Sequence, residues 1–258
     1  MSEDGSTTLQ GTPNPEAPNP QLPIVQKVRI RYAKRGRLRF TSHRDFGRAF
    51  ERAVRRAGLP IGYSSGFTPH PKISYAGASP TGAASEAEYL EIGLTRPVPV
   101  EVVRERLDEA LPDGLDVMDV VVAAPGALAD RLEASRWSIR LPGLSAEDVT
   151  PAVEALLSRE ELLVERLMKK GPRTFDIRAS IVSLATEADP GDASCAILDL
   201  VVRHGTPSVR PDDVLVGLRS ECGLGTGLTP VATRLAQGPL DATTGSVGDP
   251  LAHDRDAS

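Results

Sequence analysis

Two hydrophobic periods alternate along this chain in the same order twice, and that order constrains the fold more than any single residue. The run Val28-Arg29-Ile30-Arg31-Tyr32-Ala33 alternates apolar and polar side chains, the period of a half-buried strand. Arg35-Gly36 marks a turn or bulge before Leu38-Arg39-Phe40. Ser42 and Asp45 then stand at capping-box spacing, with Asp in place of the usual Glu or Gln, and open a helix. Phe46, Ala49, Phe50, Ala53, Val54 and Ala57 share one face of it by their three- and four-residue spacing; Arg44, Arg48, Arg52, Arg55 and Arg56 share the other. Gly58 and Pro60 end it.

Residues 61–67 and 72–76 read as short extended segments joined by Thr68-Pro69-His70-Pro71. Residues 86–94 alternate as a strand, residues 100–111 bury Val103, Leu107 and Leu111 as a helix, Pro112-Asp113-Gly114 turns, and 115–124 is a further strand. After a short segment at 128–134 the order recurs. Residues 137–141 are a strand, and Ser145 caps a helix carrying Val149, Val153, Leu156 and Leu157. Residues 162–169 turn at Lys169-Lys170-Gly171-Pro172 into an extended 175–185, with part-helix as the alternative over 176–188. A strand at 196–204, a helix with Pro211 in its first turn and a strand ending near Ala236 close the unit. The order β, α, β, β, α, β predicts an α+β fold of two ferredoxin-like (split βαβ) sandwich units in tandem, each with one sheet face free to stay open. The expected boundaries are a disordered Pro-rich tail at 1–26, a basic domain at 27–125, a second domain at 126–236 and a second disordered tail at 237–258. Both tails lack the apolar content that offsets chain ordering, and neither is expected to carry chemistry.

The formal charge of −5 conceals a strong asymmetry. Residues 27–80 hold thirteen Lys and Arg against only Asp45 and Glu51, a local +11 that leaves −16 on the remainder. Interleaved with Phe40, Tyr63, Phe67 and Tyr75, these cations have the composition of a polyanion-binding surface, where positive groups neutralise phosphates and flat rings stack on bases. The alternative is a solvated helix face balanced by acids elsewhere in the fold.

Other classes are disfavoured. No apolar run reaches bilayer length and the first twenty residues have neither a basic n-region nor an apolar core, so a soluble, cytoplasmic protein with no membrane contact is expected. Cys195 and Cys222 form neither a disulfide framework nor the spacing of a zinc site or an iron–sulfur cluster, so no metal and no cofactor is expected. Gly223, Gly225 and Gly227 lack the lysine of a phosphate loop and precede a strand, and are read as a turn.

His43 falls in the first turn of the basic helix, where the helix dipole favours a neutral imidazole. His70 lies between two prolines in a loop that presents its ring rigidly. These two are the candidate catalytic residues, and they are expected to converge on one anion-focusing pocket with Arg44, Lys72 and Tyr75. The full expected binding set is Arg37, Arg39, His43, Arg44, Arg48, Arg52, Tyr63, Phe67, His70, Lys72 and Tyr75. Glu86 and Glu88 alternate with Tyr89 and point to the same face, where surface or arginine-pairing roles are expected ahead of acid–base chemistry.

Residues 29–92 carry SHRD, RRAGLP, YSSGF, PHPKIS and SEAEYLEI in order, and this run resembles the signature of a bacterial radical-SAM-associated family of uncharacterised domains, encoded beside or fused behind cobalamin-binding radical SAM proteins. The resemblance extends loosely from Val28 to Leu235. It implies a partner or adaptor of radical SAM chemistry, acting on tRNA or ribosomal RNA, without the radical SAM domain itself. Three functions follow as expectations: an RNA-binding accessory module, a metal-independent RNA-processing or RNA-modifying enzyme using His43 and His70, and a protein-interaction adaptor whose arginine helix docks an acidic surface.

Overall fold

The computed structural model describes residues 22–65, 67–168, 171–225 and 229–257. The first series of alternating periods gives β1 (Gln26–Lys34), α1 (His43–Arg56), β2 (Ile73–Ala76), β3 (Ala84–Leu94), α2 (Val100–Ala110) and β4 (Leu115–Val122). The second gives β5 (Ala134–Pro142), α3 (Ala146–Leu157), β6 (Leu163–Met168), β7 (Gly171–Asp176), β8 (Ile181–Asp189), β9 (Asp192–Arg203), α4 (Pro211–Glu221) and β10 (Val231–Gly238), followed by the short α5 (Ala252–Asp256). The architecture is mixed α+β.

Eight of these strands form one sheet along the path β4-β1-β3-β10-β5-β9-β8, with β2 also on β3; β6 and β7 form a separate hairpin. Pairing within each half is antiparallel. The halves are joined where β10 runs parallel to β3, setting Thr233 beside Ala84 and Arg234 beside Ser85. β2 occupies the other end of the same edge of β3, against Tyr89 to Ile92. The two halves of the chain therefore share one continuous mixed sheet, and the seam passes through β3 and β10.

Periodicity explains which faces are covered. Phe46, Phe50, Ala53 and Val54 of α1 and Val103, Leu107 and Ala110 of α2 are buried against Val28, Ile30, Leu90 and Ile92. Ser42 caps α1 by accepting from the Asp45 N–H at 3.2 Å. In the second half α3 and α4 bury Val149, Val153, Leu156, Val214 and Leu218 over Ile139, Leu198 and Leu200, and Pro211 begins α4. Asp176 breaks the extended run predicted over 175–185: its carboxylate accepts from the N–H groups of Leu162 and Arg178, and a 3-10 turn at Arg178–Ser180 precedes β8.

Two expectations are corrected. The other face of the first half does not stay open, because Leu128, Leu132 and Leu251 cover Ala87, Tyr89 and Val121. Nor does the chain after Gly238 leave the body. Leu240 bridges to Val247, and the fully buried Asp254 accepts from Arg29 at 2.6 Å, Arg131 at 2.8 Å and the Ala124 N–H at 2.9 Å. Low hydrophobicity suggested a tail, but ion pairs and one leucine hold the segment. Residues 1–21 of the predicted N-terminal tail, Lys169 and Lys170 of the predicted turn, and Gly227 lie outside the described residues.

Candidate functional site

The cations of residues 27–80 divide into two populations. Those on and just after β1 are largely neutralised: Lys27 and Arg29 meet Glu91, Arg29 also meets Asp254, and Arg35 meets both Glu86 and Asp116. For these the balanced-charge alternative holds. Arg44, Arg48, Arg52, Arg55 and Arg56 along α1 are all exposed, as are Arg37 and Lys72, and none of them meets an acid among the described residues. The guanidinium of Arg39 lies 4.7 Å from the centre of the exposed Phe40 ring.

Where α1 begins, His43 opens onto a groove of about 770 Å³ between the two halves of the molecule. One wall is the 77–81 segment that follows β2; the other comes from β5, β10 and residues 204–212. Arg234, only 3% exposed, organises the floor. Sheet register sets it directly between Trp137 on β5 and Ser85 on β3. Its guanidinium pairs with the buried Glu88 and donates to the Gly77 carbonyl at 2.7 Å, to Gln237 Oε1 at 2.8 Å and to Ser85 Oγ at 3.2 Å, while its Cζ lies 5.5 Å from the Trp137 ring centre. Trp137 Nε1 donates to Ser135 Oγ at 2.8 Å, which also lies 3.1 Å from His204 Nε2. Burial, opposed by the Leu132 carbonyl at Nδ1 and reinforced by the Arg234 charge, holds the His204 imidazole below its ordinary value.

Gly77 is a backbone requirement of this site. Its φ of +57° is the left-handed conformation glycine tolerates, and a Cβ there would stand 2.5 Å from Gln237 Oε1 and 2.8 Å from Nε2. Gly77→Ala is expected to cost about 2 kcal/mol from the left-handed strain and the displaced amide. Thermal unfolding checks this, with an expected drop of about 4–8 °C for a chain of this size.

The predicted site residues do not all gather. His43 and Tyr75 do: their rings meet edge to face at 5.1 Å, and Tyr75 also packs on Phe46 at 5.7 Å. Burial, with Glu51 nearby, pushes the Tyr75 hydroxyl up to about 12, and its Oη has no hydrogen-bond partner among the described residues. Tyr75 is therefore packed under α1 and does not stand free, and Tyr63 is likewise half-buried against the core, its backbone bridged to Pro71. Phe67 is the fully exposed ring. His70 is exposed on its loop, where its N–H donates to Ser64 Oγ at 3.0 Å, and it is not among the residues lining the groove that His43 enters. Glu86 and Glu88 each take an arginine, Arg35 and Arg234 respectively.

Arg234, Trp137, His204 and Gln237 were not singled out by sequence. Alternation along 231–238 suggests Leu235 as a core residue, yet a register shift between Arg234 and Ala236 leaves Leu235 37% exposed and buries Arg234 and Gln237. An arginine and a glutamine inside the closing strand were the available signal.

No helix is long and apolar enough to cross a membrane among the described residues. No curated protein matches the chain. Among solved structures, DyPB from Rhodococcus jostii RHA1 aligns over 86% of this chain and 95% of its own at 12% identity, with a TM-score of 0.19, which establishes no common fold. The profile of a family described as "Uncharacterized protein conserved in bacteria (DUF2344)" matches residues 27–211, from the start of β1 to the start of α4. That span covers well over half of the chain, including α1, the 77–81 wall and Trp137, and the protein belongs to this bacterial family.

Proposed function

We propose that this protein is an RNA-binding accessory factor for radical-SAM-dependent modification, built from two ferredoxin-like units fused along β3 and β10 and gripping tRNA or ribosomal RNA with α1. One observation carries the reading: the five arginines of α1 are exposed and meet no acid among the described residues, while the β1 cations Lys27 and Arg29 are paired. Guanidinium groups left free along one helix face are available to phosphates, and each phosphate neutralised releases counterions. The exposed Phe40 and Phe67 offer flat surfaces for unpaired bases. The link to a radical SAM partner rests on the sequence signature in residues 29–92. Catalysis by His43 and His70 requires both imidazoles at one phosphate, and only His43 lines the groove, so binding is the function this geometry supports.

The test is the double variant Arg48→Glu/Arg52→Glu, followed by fluorescence anisotropy with a structured RNA at rising salt. Wild type should show a steep inverse salt dependence. Two lost phosphate contacts, each worth roughly one logarithmic unit near 0.1 M salt, should weaken binding about 10²-fold. The melting temperature should hardly change, since both side chains are exposed and unpaired. A flat salt dependence overturns the reading, and tight capture of an acidic protein that survives nuclease would favour the adaptor alternative.

A further inference from the structure

We infer that the groove between the two halves is a pocket for a single unpaired nucleobase, a site that deepens the RNA-binding reading and rests on it. The groove's volume of about 770 Å³ lies within the range of small-molecule sites. Its chemistry selects among ligands. Four of the five N–H groups of the Arg234 guanidinium already donate within the protein, and its charge is neutralised by the buried Glu88. Asp212 adds a carboxylate to the lining. A floor with this balance offers little to a phosphate dianion and suits a neutral, polar, planar group.

Two observations point to a missing partner of that kind. Gln237 is 1% exposed and lines the groove, yet its Nε2 finds no acceptor among the described residues: its Oε1 is fixed by Arg234 and the amide cannot turn over without setting donor against donor. Ser79, on the opposite wall, has a buried Oγ without a hydrogen-bond partner among the described residues. Buried polar groups left unpaired are costly, and an amide donor and a hydroxyl in the lining of one groove suit the mixed edge of a nucleobase. Trp137 supplies an aromatic wall, and His43 and Arg210 stand exposed at the mouth, where the ribose and phosphate of the same nucleotide would emerge toward α1. A base paired in a duplex must first be extruded, at a cost of a few kcal/mol, so the pocket favours single strands.

Trp137 is the single tryptophan of the chain, so its fluorescence reports the groove directly. The full chain is titrated with the four nucleoside 5′-monophosphates, with ribose 5-phosphate and with inorganic phosphate. At least one mononucleotide should change the Trp137 emission saturably, and the two base-free phosphates should not. A short single-stranded RNA should bind at least about tenfold more tightly than the same sequence in a duplex. Gln237→Met removes the amide. Ala78→Phe fills the groove from an exposed position without disturbing the core, so it keeps the test valid if the first variant folds poorly. Both should abolish the fluorescence response and the single-strand preference while leaving the salt dependence intact; Arg48→Glu/Arg52→Glu should do the reverse. An equal response to ribose 5-phosphate, or RNA binding with no mononucleotide response and no effect of Ala78→Phe, overturns the pocket while RNA binding by α1 stands. Loss of RNA binding altogether, with the mononucleotide response kept, overturns the RNA reading and leaves the base pocket.

Discussion

Replacing Asp254 with Ala should lower the stability of the protein by about 3–5 kcal/mol, the usual cost of removing one partner from a buried ion pair. Asp254 is fully buried and holds Arg29, itself 1% exposed, together with Arg131 and the Ala124 N–H. The substitution leaves the Arg29 charge in the protein interior with Glu91 and the Gly126 carbonyl as partners. The expected readout is a lower urea midpoint at an unchanged slope. A loss below about 1 kcal/mol would mean that the C-terminal segment does not secure β1. Because the covering Leu251 belongs to the same segment, the variant should also admit solvent to Tyr89 and Val121, which hydrogen exchange along β3 and β4 can follow.

Arg234→Leu should be as damaging, at about 3–5 kcal/mol, because it leaves the Glu88 carboxylate buried with the Ser79 N–H at 3.2 Å as a remaining donor. The double variant Arg234→Leu/Glu88→Leu should recover much of that loss, since removing both charges together also removes their desolvation cost. Burial alone raises the Glu88 carboxyl, but Arg234, Ser85, Lys34 and the Ser79 N–H together outweigh it and hold the group below the ordinary glutamate value. A folded value below the unfolded one stabilises fully above the unfolded value, near pH 4.3, and that stabilisation is lost as pH falls through the folded value. Wild-type urea midpoints should therefore drop on acidification through this window, and the double variant should show a smaller drop. Equal pH dependence in the two proteins would show that Glu88 does not titrate with folding.

Much of this molecule was legible along the chain. Period-two runs located β1, β3, β4, β5 and β9, and the Phe46-Phe50-Ala53-Val54 stripe located α1 and the face it buries. His43 was placed in the first turn of α1 by Ser42 and Asp45, because capping is a contact between residues three apart. The exposed arginine stripe followed from the same spacing.

The groove was not legible, because each of its parts depends on a long-range pairing. Arg29 resembles Arg48 in the sequence, yet one is buried against Asp254, 225 residues away, and the other faces solvent. Arg234 meets Glu88 across 146 residues only because β10 inserts between β3 and β5. Local periodicity thus fixed which segments are strands or helices and which side each presents to a core. Which cations are neutralised, that the C-terminal segment is part of the body, and that one continuous sheet brings Trp137, Gln237 and His204 into the lining of one groove with His43 were decided by strand order and register. Those are set by the packing of the whole chain, whose energies no window of neighbouring residues contains.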